Sequence, residues 1–438
     1  MSVFWCETAV VDGVVGRSVR VEHTAGVITA VAVGAERERD DLVLPGLTIP
    51  GLANAHSHAF HRALRGRTHA EGGTFWSWRT AMYALADRLE PESYRRLATA
   101  VFAEMVLAGF TVVGEFHYVH GRRDGTPYGD AAMERAILDA ARDAGIRITL
   151  LDTLYLRGGL DAAGAPLALD PSQRRFSDGS VAAWASRRAG LTGSRTSLIG
   201  AAVHSVRGVD PVDLPAFRSA TRGAPVHAHV SEQPAENEQV LAATGTTPTL
   251  LLAAAGLVDP LFTAVHATHL SPDDIAALGG AGATACFCPT TERDLADGIG
   301  PASALAAAGA GISIGTDQHA MIDPFEEIRG VEMDDRLASG ERGRFTPGEL
   351  LAMATRRGYV SLGWDGGVIG VGAVCDLVAL DTRSPRTAGA RPEQLWLAAT
   401  AADVTHVIVD GREIVKNGTH RLGDVGGLLT EAMEGLHT

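Results

Sequence analysis

Lysine is nearly missing from this sequence: of its 38 basic residues only Lys416 is lysine, and the rest are arginine. A lysine-dependent phosphate loop or Schiff-base site is thereby excluded over residues 1–415, and Lys416, in "GREIVKNGTH", has the context of a surface turn. Cysteine is scarce too, with Cys6, Cys286, Cys288 and Cys375 scattered along the chain. Cys286 and Cys288 fall on the same side of one apolar run and read as part of a buried strand rather than a metal or redox pair. No run approaches 18 apolar residues, and "MSVFWCETAVVDG" at the start lacks the basic and apolar regions of a signal peptide, so a soluble cytoplasmic protein is expected. Positive charge is in deficit as well. A net charge of −14 argues against nucleic acid or an anionic membrane as a partner, while leaving room for a small anion held by local arginines. The oligomeric state, a homodimer included, stays open.

What is present is organised. At 438 residues the chain can form one large domain and a smaller one. From residue 47 to 365, short apolar runs alternate with helical patterns, as parallel βα units do. Eight candidate strands stand out: "TIPGLANAHSH", "GFTVVGEFHY", "RITLLDTLY", "TSLIGAAVHSV", "PVHAHVSE", "FTAVHATH", "ATACFCPTT" and "GISIGTDQHA". Between them lie helical stretches such as "PESYRRLATAVFAEMVLAG", with Pro near its start, and "SPDDIAALGGAG", with Ser271 as N-cap. The pattern predicts an α/β fold, a (β/α)8 TIM barrel over residues 47–365. Residues 1–46 and 366–438 carry short alternating runs with Gly and Asp turns, which predict a small β-sandwich built from both termini. Runs 1, 2, 4, 5, 6 and 8 end in polar, titratable residues, where barrel enzymes build their sites.

The stretch "GLANAHSHAFHRAL" (residues 51–64) places His56, His58 and His61 within six positions. About 0.6 H-x-H pairs are expected by chance, so the two present here carry little weight without their surroundings. On a strand, residues two apart share a face, so His56 and His58 both point into the barrel mouth. His229 ends the fifth run, His266 lies near the end of the sixth, and Asp317 ends the eighth. His56, His58, His229 and Asp317 form a candidate ligand set for one divalent metal. Zinc suits such a set and acidifies a bound water, although iron and manganese are also accepted by His/Asp sites. Asp317 can both ligate and take the proton of water. Glu232, three residues after His229, can carry a proton to a leaving nitrogen, and His266 can donate a hydrogen bond to the atom under attack.

"HSH", "HVSE", "VHATHL" and "GTD" at these strand ends resemble the amidohydrolase superfamily in its mononuclear deaminase branch. The resemblance implies one metal rather than two, because binuclear members bridge their metals with a carbamylated barrel lysine and residues 1–415 contain none. "NAHSHAFHRALRGR", "FWSWRTAMY", "GEFHYVHG", "VHSVRG", "HAHVSEQPAENE" and "CPTTERDLADG" are together most similar to the members that hydrolyse N-formimino-L-glutamate to N-formyl-L-glutamate and ammonia in histidine degradation. Nucleobase and triazine deaminases carry a "CPxSN" type motif where this chain has Cys288 to Glu292, and His61 stands where the pattern often has Gln. The implied substrate carries two carboxylates, which Arg79, Tyr118, His204 and Arg207 are placed to receive at the strand exits, with His61 near the amidine or a carboxylate. His117, His120, His227, His269 and His319 are read as structural or supporting, and Trp76 and Trp78 as packing in a loop over the site. A deaminase of the same branch acting on a nucleobase- or pterin-like ring is the alternative. A non-catalytic barrel scaffold is another, against which stands the fact that every position of the set is filled.

Overall fold

The computed structural model describes residues 2–69 and 75–437. Four strands open the chain, β1 (Ser2–Val11), β2 (Val14–Thr24), β3 (Val27–Ala32) and β4 (Leu42–Pro50). The eight expected barrel runs all form strands: β5 (Leu52–Ser57), β6 (Phe110–His117), β7 (Arg147–Leu154), β10 (Ser197–Val203), β11 (Val226–Val230), β12 (Phe262–His266), β13 (Thr284–Phe287) and β14 (Gly311–Ile314). A two-stranded hairpin, β8 (Gly159–Leu160) and β9 (Pro166–Leu167), interrupts the series. The chain closes with β15 (Leu377–Leu380), β16 (Val404–Val409), β17 (Arg412–Lys416) and β18 (Thr419–His420).

The barrel strands pair in sequence order, all parallel. Closure comes from a parallel bridge between Ser57 and Asp317, with His58 N–H donating to Asp317 O and the N–H groups of Thr316 and Asp317 donating to His56 O. Gly315 permits this approach, because a Cβ there would lie 2.8 Å from His56 O and 2.9 Å from Cys288 Sγ. The bodies of β5, β6, β7, β11, β12 and β13 are buried from end to end, as a doubly covered parallel sheet requires. The covering helices begin as their sequences dictate: Pro91 opens Pro91–Leu107, and the Ser271 hydroxyl caps Pro272–Gly280 by accepting from Asp274 N–H.

Both termini share the second sheet, in the order β18-β17-β16-β15-β4-β1-β2-β3. The halves meet where β15 pairs antiparallel to β4. One face encloses Phe4, Val19, Val21, Leu377 and Ile408, and the other sends Val10, Leu47, Ile49 and Val378 into the barrel's core. "TIP", expected in the first barrel run, belongs to β4, so the change of sheet falls at Gly51. A Cβ there would meet Thr111 Oγ1 at 2.3 Å.

Beneath the barrel a buried polar clamp ties the two sheets together. Arg147 donates through Nε and Nη2 to the two oxygens of Asp376, at 2.9 and 3.1 Å. Asp376 also accepts from the Tyr359 hydroxyl and Asp410 N–H, and its carbonyl accepts Gly51 N–H. Both charged side chains are fully buried. Among the described residues no helix is long and apolar enough to cross a membrane.

Candidate active site

The period-two pleat of β5 turns His56 and His58 into the barrel and Ser57 the other way, where its hydroxyl donates to Glu115 at 2.6 Å. Asp317 Oδ1 lies 3.1 Å from His56 Nε2 and 3.3 Å from His58 Nε2. His229 Nε2 lies 3.2 Å from His56 Nε2 and 3.4 Å from His58 Nε2. Four residues thus share one point: His56 in β5, His58 directly after it, His229 in β11 and Asp317 in the turn that follows β14. His266 joins the same neighbourhood, its ligand atom within 4.8 Å of those of His56, His229 and Asp317.

The chemistry of these contacts fits a cation. His58 Nδ1 and His229 Nδ1 each face a backbone carbonyl, of Phe116 and His204, at 2.9 Å. A carbonyl only accepts, so both Nδ1 atoms carry the proton and both Nε2 atoms present lone pairs. Burial also holds both rings well below the ordinary imidazole pKa, and therefore neutral. Two lone pairs aimed at each other across 3.4 Å repel, and a shared divalent ion reverses the sign of that contact. The carbonyl partners fix the ring orientations, as supporting contacts do around metal ligands. A second cluster, His117, His120 and Glu134, has ligand-like spacing, but Arg187 Nη1 lies 2.9 Å from the Glu134 oxygen that both histidines contact. A guanidinium already neutralises it.

Strand exits around the site bend through left-handed backbone at residues other than glycine: Ser231 (φ 52°), His266 (65°), Ala267 (49°), Asp317 (41°) and His319 (61°). Each costs about 1–3 kcal/mol, and at His266 and Asp317 the turn brings the side chain into the cavity lining. Buried supports hold them. Thr316 pairs with Asn54 and His319, and His319 Nε2 lies 3.3 Å from Ser57 Oγ. Glu115, linked to Ser57 and Ala59 N–H, has its pKa pushed up to about 8 by burial.

Above the ligand cluster lies a cavity of about 200 Å3. His58, His61, Arg79, Tyr118, His204, Arg207, His229, Glu232, His266 and Asp317 all line it, and His56 is fully buried next to them. His266 stands between carboxylates, with Nδ1 3.4 Å from Glu292 and Nε2 3.8 Å from Glu232. Burial opposes charge on this ring, yet Glu232, Glu292 and Asp317 together hold its pKa well above the ordinary value. His61 Nε2 lies 2.9 Å from the Tyr118 hydroxyl, and burial lowers its pKa to about 3. Arg79 donates to the Tyr83 hydroxyl at 2.6 Å. Arg157 braces the loop carrying His204 and Arg207, donating to the carbonyls of Val206 and Arg207.

The remaining histidines take supporting contacts: His227 with Ser361 O, His269 with Asp297 O, and His319 as above. Trp78 departs from expectation. It sits in the helix Phe75–Ala86 rather than a loop and lines the cavity edge-on to His61, 5.1 Å between ring centres. The side chain of Trp76 lies outside the described residues. Sequence reasoning passed over Tyr83, Tyr155, Phe176, Gln239 and the β8–β9 hairpin, which complete the wall. Tyr155 had a signal, since it ends the third run as Tyr118 ends the second. Glu292 had one too, in the motif "CPTTERDLADG".

Comparison with known proteins agrees with this geometry. The amidohydrolase family model matches residues 47–414. A formimidoylglutamate deiminase of Pseudomonas aeruginosa is 37% identical over 445 aligned positions, covering 96% of each chain. A 5-methylthioadenosine/S-adenosylhomocysteine deaminase of Pelotomaculum thermopropionicum is 30% identical, over 84% of this chain and 81% of its own. The crystal structure of an amidohydrolase from Brucella melitensis superposes over the whole of both chains with a TM-score of 0.93 and 32% identity. The chain belongs to the amidohydrolase family.

Proposed function

We propose that this chain is a zinc-dependent deiminase that hydrolyses N-formimino-L-glutamate to N-formyl-L-glutamate and ammonia. One observation carries the reading: a His/Asp ligand cluster and two guanidinium groups, Arg79 and Arg207, line the same cavity in a chain of net charge −14. The likeness to the Pseudomonas aeruginosa deiminase supports it. Three imidazoles and one carboxylate suit zinc, held by His56, His58, His229 and Asp317, which supplies a Lewis acid that lowers the pKa of water.

The chain's own residues then have distinct tasks. Arg79 and Arg207 receive the two carboxylates, with Tyr118, His204 and His61 ordering the substrate between them. Asp317 accepts the first proton of the attacking water and passes it to the departing nitrogen. Glu232 carries the second from the new hydroxyl to the nitrogen, so that both leave with ammonia as the C–N bond breaks and the carbonyl forms. His266, oriented by Glu292, donates from Nε2 to the oxygen that gathers charge. The hairpin residues Leu160 and Leu167 and the ring of Phe176 give the cavity apolar walls that limit water.

The aromatic wall of Trp78, Tyr118, Tyr155 and Phe176 favours one further reading, a ring deaminase like the Pelotomaculum relative. One experiment separates the two. The purified, zinc-loaded protein is given N-formimino-L-glutamate and a panel of purine nucleosides, and ammonia is measured. Release from the amidine, with KM raised in Arg207→Ala, is expected. A rate no faster than the blank refutes the proposal, and deamination of a nucleoside instead supports the alternative.

A further inference from the structure

Glu236, the third residue of the helix Pro234–Thr244, is fully buried. Its two oxygens have different occupations. Oε2 accepts the backbone N–H of Glu232 at 3.1 Å. Oε1 has no hydrogen-bond partner and faces Arg207 Nε, 3.8 Å away. Arg207 Nε is buried and without a partner as well. A carboxylate at the third position of a helix ordinarily reaches back to an N–H at the helix start, as Oε2 does here with Glu232 N–H. The other oxygen is left aimed across a gap at a cation.

The two side chains are within ion-pair distance, but a buried donor and a buried acceptor that face each other without a hydrogen bond cost about 1–3 kcal/mol each. The gap closes to hydrogen-bond length if the guanidinium moves by about 1 Å. The backbone of Arg207 cannot supply that motion, since its carbonyl is held by Arg157 Nε at 2.9 Å, so the movement belongs to the side chain. A guanidinium is a planar fork with two usable edges. With Nε toward Glu236, the outer nitrogens of Arg207 are left for the cavity that it lines.

We propose that Glu236 is a positioning residue: it orients Arg207 to receive a substrate carboxylate and, through the N–H of Glu232, fixes the residue that moves the proton. This rests on the reading of Arg207 as a carboxylate receiver. Substrate capture and proton transfer are then tied to one side chain.

Glu236→Gln separates the two links. The amide oxygen still accepts from Glu232, while the amide nitrogen meets the Arg207 donor edge without charge. KM for N-formimino-L-glutamate is expected to rise about tenfold, the scale of one charge-assisted hydrogen bond, with kcat within about threefold of wild type. In an Arg207→Met background the same substitution is expected to change KM less than about twofold, because the group it acts through is gone. If Glu236→Gln does not fold, Glu236→Asp, which keeps the charge but shortens its reach, is held to the same criterion. An equal rise in KM with and without Arg207, or a fall in kcat at unchanged KM, overturns the proposal. If wild type turns over the substrate and Arg207→Met raises KM while Glu236→Gln does nothing, this inference alone falls. If wild type releases no ammonia and calorimetry shows no affinity for N-formyl-L-glutamate, the functional reading falls, and the inference with it.

Discussion

Replacing Asp376 by Asn tests whether the terminal sheet and the barrel are held by the clamp beneath the barrel. The substitution preserves shape and one acceptor oxygen but removes the counter-charge of Arg147, whose side chain is fully buried. Leaving one member of a buried pair uncompensated costs about 3–5 kcal/mol. Asp410 Oδ1, 3.8 Å from Arg147 Nη2, offers partial compensation, and Arg147 Nη1 keeps its bond to Arg195 O. The lower end, about 3 kcal/mol, is therefore expected. Urea unfolding followed by far-UV circular dichroism and tryptophan fluorescence reads it. Trp364, whose ring lies 4.6 Å from the Arg147 guanidinium, reports on the clamp itself. The double variant Arg147→Met with Asp376→Asn removes both charges, keeps an acceptor for Asp410 N–H, and is expected to recover part of the loss. A loss below about 1 kcal/mol in Asp376→Asn, or a double variant worse than the sum of its singles, refutes the reasoning.

Other substitutions probe the site and the termini. Asp317→Asn is expected to cut turnover by at least about a hundredfold while leaving the fold intact by circular dichroism, and a near wild-type rate removes the proposed base. Gly315→Ala forces a methyl against His56 O and Cys288 Sγ; about 1–3 kcal/mol of stability and much of the bound metal should be lost, checked by thermal unfolding and elemental analysis. A variant as stable and as metal-replete as wild type contradicts the packing at that seam. His420 uses both ring nitrogens, donating to Ala144 O and accepting from Leu422 N–H, and burial lowers its pKa from 6.5 to about 4. Because the folded value lies below the unfolded one, its contribution is complete above pH 6.5 and fades as pH falls toward 4. His420→Asn should flatten the stability–pH slope in that window, by up to about 1.4 kcal/mol per pH unit. An unchanged slope refutes the assignment.

Pattern within short segments is what the sequence determined by itself. The pleat places His56 and His58 on one face whatever the rest of the chain does, apolar runs ending in polar residues mark strand exits, and capping residues such as Ser271 announce helices. Lack of lysine is likewise a property of composition alone. Tertiary structure decided which distant residues share a point. The Arg147–Asp376 bond spans 229 positions, and the Arg207–Glu236 gap exists only because two neighbouring strands end at the same level. Trp78 looked like packing because a helix's tilt over the mouth is not encoded in the helix's own residues. Tyr155 and Glu292 were in view, yet their partners are set by barrel closure. Local geometry follows from steric preferences a few residues long, whereas convergence across strands follows from register and closure, to which the whole barrel contributes.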